Sequence, residues 1–297
     1  MDLAALIVKY HSLGIDDVID HERFNLISIV HHSTKIEGCT LTDVETQVLL
    51  NEGLTPKGKP LQDSLMVTDH YAALTFTLAE AKEKKTVTVA LIQAINSLVV
   101  RNTARVYNTI LGTVDASSGA FRKGNVTAGS SYFPNFDKVE DLTERLVRTI
   151  DEQMRQPITV QEQLALSFAA HFNLVSIHPF YDGNGRTSRL LMNYIQAYYG
   201  LPLAIVFNES KVEYIQALIH SREQNDISIF NTFMTLEYTR LLTREIQKFE
   251  EMNTSRKGNG FNLLFQVISC RLVLRQAQDD EVKWLPPALK GGVCMGC

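Results

Sequence analysis

The feature that most constrains this chain is the stretch from His178 to Arg189, His-Pro-Phe-Tyr-Asp-Gly-Asn-Gly-Arg-Thr-Ser-Arg. Before it, Leu164, Phe168, Phe172 and Val175 recur at helical spacing, and Pro179 disfavours helical geometry at the residue it follows. After it, Leu190, Leu191, Tyr194, Ile195 and Tyr198 mark the buried stripe of a second helix, which Gly200 and Pro202 close. The stretch is therefore a short loop between two buried helices. The segment from Gly183 to Gly185 falls at the start of the second helix, where backbone N–H groups point outward unpaired and form an anion site. Arg186 and Arg189 share one face of the first turn. Cations there oppose the helix dipole, so the two make most sense if a polyanion binds between them.

Other loops fit less well. Asp182-Gly183 and Asn184-Gly185 resemble hairpin turns, but the residues that follow are helix-periodic rather than alternating. A calcium loop needs Gly where Thr187 stands and Glu where Asn193 stands. A P-loop needs Gly-Lys-Ser/Thr, and a dinucleotide fingerprint needs a third Gly at the position of Ser188. The plain alternative that remains is a structural loop anchored in the core by Phe180.

From His178 to Arg186 the sequence resembles the H-P-F-x-[DE]-G-N-[GK]-R signature of the Fic (fido) family, extended by Arg189; a weaker likeness runs from about Leu91 to about Leu236. The resemblance implies transfer of a nucleotide monophosphate, usually AMP from ATP, to a hydroxyl side chain of a target protein. Elementary chemistry suits the residues to that task. A neutral imidazole, with a reference pKa of about 6.5, accepts a proton near pH 7, which makes His178 the base. Attack on the α-phosphate expels pyrophosphate, whose growing charge calls for Mg²⁺ and fixed donors. Asp182 is a hard oxygen ligand for Mg²⁺. Asn184 and the Gly183 and Gly185 amides line the anion nest, leaving Arg186 and Arg189 for the β- and γ-phosphates.

A second motif lies far upstream. Ser33-Thr34-Lys35-Ile36-Glu37-Gly38 resembles the inhibitory-helix pattern [ST]-x-x-x-E-[GN] of autoinhibited Fic proteins. Taken alone it reads as a solvated Glu before a C-capping Gly. A glutamate near a helix C-terminus is disfavoured by the dipole, however, and a cation would relieve it. Arg186 is the expected partner, with Ser33 and Glu37 as inhibitory residues that block productive γ-phosphate binding. Gly119 to Pro134, dense in turn formers, is expected to be the chain's one hairpin. In the family a flap here covers the nucleotide and aligns the target as an added strand, and Ala128, Gly129, Ser130 and Ser131 match its nucleotide-facing part. Lys211 to Leu218 resembles the segment whose tyrosines border the base, which points to Tyr214; the alternative for Tyr214 is a core aromatic. Arg222 stands where the family often has Asn, leaving base specificity open.

Composition narrows the rest. A net charge of −4 with no basic run argues against broad nucleic-acid or membrane-surface binding. The Met1-Asp2-Leu3-Ala4 start lacks the positive charge of a signal peptide and no apolar run approaches membrane-spanning length, so a cytoplasmic location is expected. Cysteines 39, 270, 294 and 297 do not make a disulfide framework, and Cys294-Met-Gly-Cys297 lacks a second ligand pair for zinc.

The expected architecture is mainly α, a Fic-type helical core with a small β-hairpin flap. An N-terminal helical segment over residues 1–90 carries the inhibitory motif, the core occupies 91–240, and 241–297 is a partly loose C-terminal extension. The expected function is an autoinhibited protein adenylyltransferase using ATP and Mg²⁺, acting on a protein target with an exposed Ser, Thr or Tyr. A homodimer stays open. So do removal of AMP or transfer of another nucleotide monophosphate or phosphate at the same site, and a non-catalytic protein-binding module.

Overall fold

The computed structural model describes residues 2–15, 21–129 and 131–258. The CxxC pair, Cys270, the apolar stretch from Phe261 to Leu274 and Ser130 lie outside these. Residues up to Ile246 form one compact unit, and a second begins at Gln247. In chain order the helices are α1 (Leu3–Ser12), α2 (His21–Ile36), α3 (Asp43–Glu52), α4 (Leu61–Lys82), α5 (Val89–Val99), α6 (Val139–Met154), α7 (Val160–Ile177), α8 (Asn184–Tyr199), α9 (Lys211–Glu223) and α10 (Ser228–Gly258). Between α5 and α6 lie the short strands β1 (Val106–Thr109), β2 (Gly112–Asp115), β3 (Thr127–Ala128) and β4 (Ser131–Tyr132). The mainly α expectation holds.

Local chemistry sets the helix ends. Thr42 with Glu45 and Thr159 with Glu162 form reciprocal capping boxes that start α3 and α7, and the Thr88 hydroxyl accepts from Leu91 N–H to start α5. Gly53 and Gly200, both in the left-handed region, end α3 and α8.

The helix that opens with the motif, α8, is the hub of the fold, packing against α7, α4 and α5. Leu190, Leu191, Tyr194 and Ile195 are fully buried as the apolar stripe predicts, but so are Thr187, Ser188, Asn193 and Gln196. Buried polar groups are tolerated when bonded. Ser188 Oγ donates to Asn184 O (2.7 Å), Asn193 Nδ2 to Ala204 O (3.0 Å) and Gln196 Nε2 to Ser167 Oγ (3.2 Å), while Gln196 Oε1 accepts from Ala204 N–H (2.8 Å). A helix sealed on every side holds its first turn rigidly, and that turn is the candidate site. From the N-terminal segment, α2 packs on α4 and reaches α8.

The expectation of one hairpin is corrected: among the described residues there are two. The strands β1 and β2 pair antiparallel from Val106↔Asp115 to Thr109↔Gly112, and β3 and β4 pair only through Thr127↔Tyr132 and Ala128↔Ser131. Val106-Tyr-Asn-Thr and Gly-Thr-Val-Asp115 carry the β-branched and turn residues of a strand pair; their proximity to the Gly-rich stretch masked the signal. Tyr107 on β1 stacks on Tyr181 of the motif loop, with centroids 4.3 Å apart, tying this hairpin to the site.

Candidate active site

His178 caps α7 in the left-handed conformation, at φ 54° and ψ 59°. That geometry is uncommon for a residue with a Cβ and tends to collect at functional sites. It turns the chain sharply out of α7. Nδ1 lies 3.3 Å from Val175 O, and a carbonyl can only accept, so the proton sits on Nδ1 and Nε2 keeps its lone pair. Burial, against the hydrogen bond to Val175, lowers the imidazole pKa to about 4. His178 is therefore neutral near pH 7. The Phe133 ring stacks on it at 3.9 Å, and the Arg222 guanidinium lies 5.5 Å from the Phe133 ring centre.

The loop after His178 is braced from several directions. Phe180 is buried in the core. Asn184 Oδ1 accepts from Phe180 N–H (2.9 Å) and Asn184 Nδ2 donates to Phe180 O (2.8 Å), so this amide shapes the nest from behind instead of facing a ligand. Gly183, at φ 77°, starts α8; a Cβ there would fall 2.8 Å from both Asn96 Nδ2 and Val100 Cγ1. Both conformation and space demand glycine. Asn96 Nδ2 donates to Asp182 O (3.0 Å) and Thr187 Oγ1 (3.1 Å).

Asp182 Oδ1 accepts from Gly183 N–H (2.5 Å) and Arg186 Nη2 (3.2 Å). Its side chain is 46% exposed, and among the described residues Oδ2 has no protein partner. Asp182 thus offers one hard oxygen at the mouth of the anion nest. Among the described residues no group of three or more His, Cys, Asp or Glu could enclose a metal. That set suits an ion such as Mg²⁺, which is commonly held by one or two carboxylates plus phosphate oxygens and water.

The two arginines diverge. Arg186 Nη1 donates to Val99 O (3.0 Å) at the end of α5, and Nη2 pairs with Asp182. Arg189 turns to α2: Nε donates to Ser33 Oγ (2.8 Å), while Nη2 donates to Ser33 O (3.1 Å) and Glu37 Oε1 (2.6 Å). Nη1 lies 3.4 Å from the Tyr214 hydroxyl. The expected Glu37–Arg186 pair is thus corrected to Glu37–Arg189. Residues three apart are offset by only about 60° around a helix, so the neighbours decide: α2 offers Ser33 and Glu37 to Arg189, whereas Arg186 lies beside the carbonyl end of α5, which attracts a cation. Burial pushes the Glu37 carboxyl up, but Arg189, and behind it Arg186, outweigh burial and hold its pKa below the usual carboxylate value. Glu37 is ionised near pH 7. A Cβ added to Gly185 would lie 2.6 Å from Glu37 Oε1, so the carboxylate rests directly on the anion nest.

The remaining expected residues lie on the flap and on α9. Gly129 turns the flap at φ 57°, and Ser131 Oγ is 3.2 Å from Arg222 Nη2. Tyr214 is buried and faces Arg189 and His171, so its geometry is that of a core aromatic. Two braces, Asn96 and Arg122, escaped sequence reasoning. Arg122, within the turn-rich stretch, is buried; Nε donates to His178 O (2.8 Å), Nη1 to Gly124 O (2.8 Å) and Nη2 to Pro134 O, and its own N–H bonds Pro179 O (2.9 Å). It ties the flap to the motif. An arginine among glycines and serines reads as solvated, and nothing local signals otherwise.

The fold and site define a helical domain built around a glycine-turned loop at a helix start, with a neutral histidine at its rim and a carboxylate lodged against it. Residues 86–196 match the model of the Fic/DOC family, which makes that stretch of the chain a Fic domain. It is 31% identical over 206 residues to the protein adenylyltransferase Fic of Drosophila sechellia, and equally to that of Drosophila melanogaster; the match covers 69% of this chain and 39% of each relative. The chain therefore spans about two fifths of the length of these curated relatives. Among solved structures, a Fic domain containing signaling protein from Bacteroides thetaiotaomicron superposes with TM-score 0.70 at 23% identity, covering 84% of this chain and 96% of that one. That likeness speaks to the fold. Fic-1 from C. elegans superposes with TM-score 0.63 at 25% identity, covering 84% and 72%. No helix among the described residues is long and apolar enough to cross a membrane.

Proposed function

We propose that this chain is an autoinhibited protein adenylyltransferase, which moves AMP from ATP to a hydroxyl side chain of a protein target and releases pyrophosphate. The observation that carries this reading is the placement of His178. Its Nε2 lone pair is free, its ring is neutral, and it stands beside the N-terminus of α8, whose dipole suits phosphates. In this reading the first turn of α8 at Gly185 holds the phosphates by their oxygens, while the Gly183 N–H stays bonded to Asp182. Nε2 of His178 takes the proton from the attacking hydroxyl as its oxygen bonds to the α-phosphorus and the bond to pyrophosphate breaks. Arg189, and Arg186 beside it, offset charge on the leaving phosphates. Asp182 would hold Mg²⁺, which supplies charge neutralisation there when bound. The flap residues Ala128 to Ser131 would lie along the nucleotide and the target segment.

Control comes from the first ninety residues, which act as a regulatory segment on the core. With Glu37 on Arg189 and against Gly185, a triphosphate cannot place its terminal phosphate at that arginine. ATP is expected to bind misplaced or not at all until Glu37 withdraws. The same carboxylate also leaves room for the reverse reaction, in which Glu37 orients water and His178 acts as the acid. The test is intact mass after incubation of the Glu37→Gly variant with ATP and Mg²⁺, with a candidate target present. Addition of one AMP to either chain supports the reading; bound ATP with no covalent product, in the presence of intact His178, contradicts it.

A further inference from the structure

Arg189 is held from two sides, and the two sides do different work. Nε and Nη2 are bonded from α2, by Ser33 and Glu37. Nη1 is the nitrogen nearest the nest, 3.3 Å from the point a Cβ on Gly185 would occupy, and among the described residues its hydrogen-bond partner is the Tyr214 hydroxyl on α9. That hydroxyl lies 2.8 Å from His171 Nε2 on α7. Both Tyr214 and His171 are sealed in the interior, at 1% and 0% exposure.

A guanidinium only donates, so the Tyr214 oxygen accepts from Nη1, which leaves its own proton available to His171 Nε2. Burial first, and Arg189 second, keep His171 neutral, which leaves Nε2 able to accept. His171 Nδ1 then carries the proton, and it has no partner among the described residues. A buried nitrogen without a partner costs stability, and His171 bears that cost while bonded to a buried hydroxyl that itself meets Arg189.

We propose that Tyr214, backed by His171, is a positioning residue that aims Arg189 Nη1 at the terminal phosphates of the nucleotide once Glu37 no longer holds Nη2. This rests on the reading of the nest as a triphosphate site. The bond at 3.4 Å is long while Glu37 draws the guanidinium at 2.6 Å; with that pull removed, Tyr214 becomes the group that keeps Arg189 from swinging away. The position thus serves the phosphate end of the nucleotide from behind, not the base.

The experiment compares Glu37→Gly with Glu37→Gly/Tyr214→Phe by calorimetry against ATP and against AMP, both with Mg²⁺, and by transfer kinetics. Loss of a hydrogen bond to a charged group should weaken ATP binding and raise KM for ATP about 10-fold, leaving AMP affinity and kcat nearly unchanged. A merely structural effect would lower the folded, active fraction and so reduce kcat at constant KM, or weaken ATP and AMP alike; either overturns the proposal. Equal ATP affinity in the two variants also overturns it. Should Tyr214→Phe fail to fold, Glu37→Gly/His171→Gln carries the same ATP-against-AMP comparison. If Glu37→Gly itself binds no ATP, the triphosphate reading falls first and this inference with it.

Discussion

The two sides of the first turn of α8 hold their arginines in opposite ways. On the side facing α5, Arg186 is bonded to the Val99 carbonyl and to a carboxylate four residues back in its own loop. These partners belong to the core itself, and one of them is backbone. On the side facing α2, Arg189 is bonded to Ser33 and Glu37, more than 150 residues away in sequence. Those contacts depend on packing between elements and vanish if α2 shifts. Neighbouring arginines of one motif thus divide the labour: one is built into the loop, and the other is held by a segment from outside it.

The sharpest way to break this comparison is to remove the residue both sides serve. In a Glu37→Gly background, His178→Ala should lower transfer by about 10²- to 10⁴-fold, the usual contribution of a positioned base, while ATP binding by calorimetry stays intact. Retained transfer would show that the relieved site uses another base. The next contrast is between the arginines. Arg186→Ala leaves the buried Val99 carbonyl without its partner and should cost about 1–3 kcal/mol of stability, read as a lower denaturant midpoint at unchanged slope. Arg189→Ala should instead act mainly on ATP affinity. If the two variants lose stability and ATP affinity alike, the division of labour is wrong. A smaller effect is expected at the rim: Phe133→Ala removes a stacked ring worth about 0.5–1.5 kcal/mol and should lower kcat about 2- to 12-fold with little change in KM for ATP.

Acidity offers a gentler probe. Because the His178 pKa is lowered to about 4, the folded protein keeps its base neutral as pH falls below the ordinary histidine range, and the acid limb of kcat/KM should lie near that value. The stability sign follows. The unfolded chain takes up a proton on His178 near pH 6.5 and the folded chain does so only near pH 4, so this residue costs stability as pH falls between those values. An acid limb near 6.5 would show that the imidazole is open to water in the working enzyme.

Much of this was legible before any coordinates. Helical periodicity on both flanks and Pro179 placed the loop, and spacing alone put Gly183 at a helix start. What periodicity does not encode is which way a side chain leaves a helix that is buried all round. Arg186 and Arg189 look alike in sequence, and only the positions of α5 and α2 decide their partners. Tyr214 posed the same problem: a tyrosine at helical spacing is compatible with a ligand face or a core face. The hairpin from Val106 to Asp115 lay in plain β-prone sequence, overshadowed by the glycines after it. Arg122 and Asn96 were invisible for a different reason, since their roles are bonds to backbone carbonyls set by long-range packing.

The central claim is that the Glu37 carboxylate, resting on Arg189 and on the nest at Gly185, holds the site off. A charge-assisted pair of this kind is worth about 1.5–3 kcal/mol, or roughly 10- to 150-fold in the population of the competent state. The direct measurement is the rate of label transfer from α-labelled ATP into protein by the parent chain and by Glu37→Gly, at saturating ATP and equal concentration. A rise of about 10- to 150-fold that disappears in Glu37→Gly/Arg189→Ala is the predicted result. Equal rates in parent and Glu37→Gly, with ATP shown to be bound, would contradict the account.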